Sequence, residues 1–211
     1  MFIRQDLFAY LFSHSAIKEI EFKLSPYLFL SGKKGFFIMN KTRRILLCSL
    51  FISSTIVLGR ILSIRTPIIT IGFSFVPIML SAIMLGPKYS TFIATLSDVI
   101  GALVFPTGSF FFGFTITAFL TGLTYGLLLY RKDFKINKGF IIRLVISTII
   151  VTGLLNGILN TIWVIIISKG ASKLIITTRI LKQLVMAPVK IITILLIGKI
   201  FEERINKLIH D

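Results

Sequence analysis

The sequence predicts an all-α membrane protein, a bundle of six transmembrane helices with both termini cytoplasmic, and three observations lead there. First, mean hydropathy is +0.93 and 55% of the 211 residues are hydrophobic. Soluble domains of this length rarely reach such values, and the apolar residues gather in blocks near the ~20 residues a spanning helix needs. Second, the blocks are continuous. In lipid an unbroken apolar run must satisfy its own backbone, which leaves a helical bundle as the spanning form. Third, the Lys and Arg residues behind the net charge of +16 concentrate in the short segments between blocks. That pattern is a topology signal rather than a nucleic-acid surface.

The blocks give spans at about 44–62, 72–86, 89–105, 112–130, 141–168 and 175–199. Lys41, Arg43 and Arg44 precede the first, and Lys88 lies between the second and third. Arg131, Lys132, Lys135, Lys138 and Arg143 follow the fourth, and Lys199, Arg204 and Lys207 close the last. With six spans all these groups fall on one side, which the positive-inside rule makes cytoplasmic. Residues 1–38 differ: they are mixed in charge and lack the ordered regions of a signal peptide. The segment GKKGFFIMNKTRR reads as though translation begins at Met39, with Lys34-Gly35 encodable as a ribosome-binding-like sequence. The expected organisation is a leader over 1–38 without a functional role and a six-helix substrate-binding domain over 39–211.

The opposite face is basic too. Arg60 and Arg65 flank the first outer loop, Lys169 and Lys173 lie in the third, and Arg179 and Lys182 open the last helix. Snorkelling at a helix end explains any one of them. Six together, against the positive-inside bias and with no acidic partner on that face, favour an anionic ligand.

Several chemistries are excluded. The single Cys48 allows neither an internal disulfide nor a cysteine metal cluster. His14 and His210 stand outside every apolar run, so no histidine metal site or Ser-His-Asp arrangement assembles in the membrane. No P-loop pattern occurs and no second membrane carboxylate accompanies Asp98. A membrane hydrolase or phosphotransferase would need such groups. No enzyme activity and no cofactor are expected.

Asp98 is the only acidic residue between Phe22 and Lys132. A carboxylate at the bilayer centre costs ~2.5–3.5 kcal/mol on insertion scales, so it faces a cavity or a partner. It stands eight residues before Pro106, or ~12 Å below the outer loop, which is the depth of a pocket floor. Pairing with a neighbouring Arg, or bonding to helix backbone, is the structural alternative. Asn156, Asn160 and Trp163 share one face of the fifth span at i, i+4, i+7. Amides and an indole suit the edges and face of a flat heteroaromatic ring; interhelical hydrogen bonding is the plainer alternative. Arg179, Lys182, Gln183 and Met186 form a matching stripe on the sixth span. Lys190, lower on that helix, is expected to snorkel to the cytoplasmic interface. Pro106, Thr107 and Gly108 make a tight outer turn, and Phe110 after it is a candidate ring-stacking wall. Small-residue pairs at Ser49 and Ser53, Gly122 and Gly126, and Gly153 and Gly157 permit close helix approach.

Four segments, in this order and spacing, resemble the substrate-binding S components of energy-coupling factor (ECF) vitamin transporters, specifically the folate-specific members. They are GRILSIRTPIITIGFSFVPIMLSAIMLGPKYS, SDVIGALVFPTGSFFFGFTITAFLTGLTYGLLLY, LNGILNTIW and RILKQLVMAPVK, and the resemblance covers about residues 42–200. It implies a multi-pass subunit of the bacterial plasma membrane, in contact with lipid, that captures a vitamin. Its implied partners are a transmembrane coupling protein and two cytoplasmic ATPases, and the resemblance implies that it topples in the membrane to release its cargo. Family members carry Ala-xxx-Ala on the first helix as the docking face; here Ser49 and Ser53 stand at those positions. Folate also suits the residues themselves. A basic collar of Arg60, Arg179 and Lys182 matches its two carboxylates and disfavours cationic thiamin. Asp98 or the Asn pair would meet the pterin edge, with Trp163 or Phe110 stacking. An S component for riboflavin or pantothenate, a small intramembrane enzyme and a structural scaffold are the alternatives.

Overall fold

The first apolar block closes as α1 (Lys41–Ile56) and runs on as a π-helical turn, Val57–Ile61. The structure is a computed structural model that describes residues 41–65, 70–106, 111–131, 136–167 and 173–210, all within the compact unit Asn40–Asp211. The leader over 1–38, Lys169, Gly108 and Phe110 lie outside the described residues. After α1 come two short antiparallel strands, β1 (Ile64–Arg65) and β2 (Thr70–Ile71), with Ile64 opposite Ile71. This hairpin is the one departure from an all-helical chain among the described residues.

Next come α2 (Phe75–Leu85) and α3 (Pro87–Val104), joined through Gly86 alone. Gly86 has φ 84, a left-handed conformation that glycine adopts without a Cβ penalty. Pro87 opens α3 where its missing N–H would be unpaired anyway. α4 (Phe112–Leu129) follows. α5 (Lys138–Ile149) is capped by Asn137, whose Oδ1 accepts from Phe140 N at 2.8 Å. It continues through a π-helical stretch (Ile150–Leu159) and returns to α-geometry over Asn160–Ile167. α6 (Lys173–His210) completes the set.

Among the described residues, six helical stretches therefore match the six expected blocks. Four contain windows long and apolar enough to cross a membrane: Arg44–Ile61, Phe112–Leu129, Lys138–Ile167 and Thr177–Lys199. α2 is apolar but has 11 residues, only ~16 Å of helix against a hydrocarbon core of ~30 Å. α3 has the length but carries polar residues, Asp98 among them.

The burial pattern is that of a protein solvated by lipid. Large apolar side chains such as Ile45, Phe92, Leu103, Leu127 and Leu184 are exposed, while Ser81, Ser90, Ser147, Thr148 and Thr152 are buried. In water such a surface would aggregate; in a bilayer it is the expected exterior, with small polar residues packing helix against helix.

Side-chain contacts set the helix directions. Arg44 donates to Tyr89 Oη at 3.4 Å, joining the starts of α1 and α3, and Arg60 meets Asp98 toward their other ends. α3 and α4 cross tightly and run antiparallel. Ser90 Oγ donates to Gly122 O at 2.8 Å, and a Cβ on Gly122 would stand 2.5 Å from Ser90 O. A Cβ on Gly126 would run into Pro87 backbone, so this small-residue pair does what its spacing suggests. Gly153 has open space beside it, so the pair Gly153 and Gly157 forms no close crossing. α2 packs against α1, α3, α4 and α6, and its residues Phe75, Ile78, Met79 and Ala82 sit in one core cluster with Tyr125, Val151 and Met186.

Candidate functional site

Helix spacing brings one stripe from each of two helices to a common cavity of about 600 Å³. On α4, Phe114, Ala118, Thr121 and Tyr125 recur at i, i+4, i+7, i+11; on α6, Arg179, Gln183, Met186 and Lys190 do the same. Each stripe runs 11 residues, ~16 Å along its helix axis. The remaining walls include Arg60 after α1, Asp98 on α3, and Asn156 and Asn160 on α5. Among the described lining residues are four cations and a single carboxylate, so the cavity favours an anion.

Asp98 accepts a hydrogen bond from Thr115 Oγ1 at 2.9 Å and faces the Arg60 guanidinium at 3.8 Å. Gly101, one turn on, makes room for that guanidinium: a Cβ there would stand 3.1 Å from Arg60 Nε. Arg60 and Asp98 therefore share one level of the cavity instead of dividing into mouth and floor. Asp98 is six residues from the end of α3 at Val104, about 9 Å in. Its partner Thr115 is near the start of α4, so it occupies the upper wall.

The floor belongs to Tyr125 and Lys190. Lys190 is 13 residues beyond Thr177, where the apolar window of α6 begins, or ~20 Å in. Its side chain is 7% exposed, and Nζ donates to Thr152 Oγ1 at 3.5 Å. It also lies 5.9 Å from the centre of the Phe75 ring, within reach of a cation–π contact. Snorkelling to the cytoplasm is thus incorrect. Lys190 shares the face of Arg179 and Met186, so when that stripe turns inward Lys190 turns with it. The i, i+11 spacing was the signal that could have found it.

Asn156 and Asn160 form a relay. Asn156 Nδ2 donates to Val151 O at 3.0 Å, and Asn160 Nδ2 donates to Asn156 Oδ1 at 3.0 Å. The relay ends in Asn160 Oδ1, buried without a hydrogen-bond partner, an acceptor for a ligand N–H. Arg179 Nε is likewise buried and unpartnered, while Lys182 and Gln183 line the cavity beside it.

Trp163 is placed behind the cavity wall. Its Nε1 donates to Thr117 Oγ1 at 3.1 Å and its ring lies 5.7 Å from that of Phe111. Gly113 admits both rings; a Cβ there would stand 2.6 Å from the Trp163 ring. Phe111 and Phe114 line the space together with Phe75 and Tyr125, and the Phe111 and Phe114 rings lie 6.1 Å apart edge to face. A run of four phenylalanines gives no sequence signal for which ring faces inward. Pro106 is exposed beyond the end of α3 and does not line the cavity. Ser49 and Ser53 lie on an exposed face of α1, their hydroxyls donating back to Leu46 O at 2.9 Å and Leu50 O at 3.0 Å.

Known proteins share this architecture. The family model described as ECF transporter, substrate-specific component, matches residues 43–198. A folate transporter FolT of Clostridium novyi (strain NT) is 37% identical over 156 residues, covering 74% of this chain and 88% of its own. A folate transporter FolT of Leuconostoc mesenteroides subsp. mesenteroides is 33% identical over 155 residues, covering 71% and 81%. Among solved structures, FolT bound with folic acid superposes with a TM-score of 0.65 at 29% identity, over 73% of this chain and 90% of that one.

Proposed function

The chain belongs to the substrate-specific components of ECF transporters, and on that premise we propose that it is the subunit that binds folate for uptake. The observation that carries the reading is the cationic stripe of α6 lining the cavity, in a chain similar to a solved FolT structure bound with folic acid. A cavity of about 600 Å³ suits one ligand of folate's size, since small-molecule pockets run ~300–1,000 Å³. Folate is a flat pterin, an aromatic spacer and a glutamate with two carboxylates. Arg179 and Lys182 near the mouth take the carboxylates, Phe111 and Phe114 flank the aromatic units, and Asn160 Oδ1 accepts from a ring N–H. The Arg60–Asp98 pair forms the upper wall beside them.

In this reading residues 39–211 are the substrate-binding domain, whose six helices cross a bacterial plasma membrane with both termini cytoplasmic and the cavity mouth outward. It is a binding subunit rather than an enzyme. A coupling protein docks on the exposed Ser49 and Ser53 face of α1, whose small side chains let another helix come close, and two ATPases supply the energy. Labelled folate should accumulate in cells that make this chain together with an ECF module, and not in cells making the module alone. Equal accumulation in both would contradict the proposal.

A further inference from the structure

Lys190 is the one charged side chain at the inner end of the described cavity. The contacts around its Nζ are the Thr152 hydroxyl at 3.5 Å and the face of Phe75 at 5.9 Å. An ammonium carries three donors and no acceptor, and burying a cation without a strong partner is costly. A hydroxyl at the limit of hydrogen-bond distance and a ring face leave most of that demand to whatever fills the cavity.

Spacing says which part of a ligand arrives there. Lys190 lies eight residues beyond Lys182 and 11 beyond Arg179 on one stripe, ~12 and ~16 Å along the helix. An extended ligand whose carboxylates meet Arg179 and Lys182 presents its opposite end to Lys190. In folate that end is the pteridine ring, whose outer edge carries a C4 carbonyl oxygen beside an N–H and an amino group. The carbonyl is an acceptor that an ammonium can serve; the N–H and amino groups need acceptors such as Asn160 Oδ1.

We propose that Lys190 Nζ donates to the ring carbonyl of the bound ligand, fixing the ring's orientation and making the site select 4-oxopteridines over 4-aminopteridines. This rests on the folate reading above. A 4-amino group would meet the ammonium donor to donor, and a site built to bond one group rejects its replacement strongly.

The test is to titrate the purified protein with folic acid and with its 4-amino analogue, in which an amino group replaces the C4 oxygen and N3 loses its proton. The wild type should bind folic acid at least about tenfold more tightly. Lys190→Met, similar in length but uncharged, should lose at least about tenfold in folic acid affinity while changing the analogue by less than about twofold. Equal wild-type affinities, or equal losses for both ligands in Lys190→Met, overturn the inference and leave the folate reading standing. A wild type that binds neither ligand overturns the folate reading and the inference with it. Should Lys190→Met fail to fold, Lys190→Gln serves in its place with the same ligand pair.

Discussion

Replacing Arg179 or Lys182 with glutamine should weaken folic acid more than pteroic acid, which lacks the glutamate and keeps only its benzoate carboxylate. A hydrogen bond to a charged group contributes ~1.5–3 kcal/mol, which corresponds to about tenfold to 150-fold in Kd. The structure moves the expectation toward the lower end. Arg179 and Lys182 are three residues apart on one helix face, and like charges at that spacing repel. Removing one relieves that repulsion in the unliganded protein, so the double variant should lose less than the sum of the two single losses. Arg179 Nε has no partner to lose, so the thermal midpoint without ligand should hold or rise. Titration of each variant in detergent or nanodiscs, with both ligands, gives the comparison. Equal losses for folic and pteroic acid would refute the placement of the glutamate at these cations.

Asp98→Asn should lower stability by about 1 kcal/mol, because the Arg60 pair is long and about a fifth to a quarter exposed. It should weaken folic and pteroic acid alike; loss confined to folic acid would place the tail, not the ring, near Asp98. Gly122→Val puts atoms where a Cβ alone would be 2.5 Å from Ser90 O, so it should cost about 1–3 kcal/mol or more through overpacking. Thermal unfolding reads this directly, and an unchanged midpoint contradicts the tight α3–α4 crossing. Ser49→Trp or Ser53→Trp should leave folate binding by the isolated chain intact and reduce uptake in cells; loss of binding would move these residues from a docking face to the site.

The helices were legible because each block is largely apolar and most are bounded by cations on at least one side, features that depend on lipid alone. The faces were legible for the same reason that periodicity is: Asn156 with Asn160, and Arg179 with Gln183, reach the cavity at the spacing that aligns them. Levels were not legible. Whether Arg60 lies above Asp98 or beside it depends on how far α1 slides along α3, which Gly101 and the tertiary contacts set. The π-helical stretches at Val57–Ile61 and Ile150–Leu159 leave no composition signature, and neither does a hairpin of two-residue strands. Lys190 was misread because a lysine toward one end of a span ordinarily has an exit to the interface. Here its face points at Thr152 and Phe75. Trp163 was set on the correct helix face but behind Phe111, since the room that Gly113 leaves for it comes from another helix.

The most direct measurement is an equilibrium titration of the purified protein against folic acid, riboflavin, pantothenate and thiamin, with stoichiometry determined. A folate-binding subunit with a single cavity should bind folic acid tightly at one molecule per chain, and the other three at least about a hundredfold more weakly. Tighter binding of any of the other three, or no saturable binding of folic acid, would contradict it.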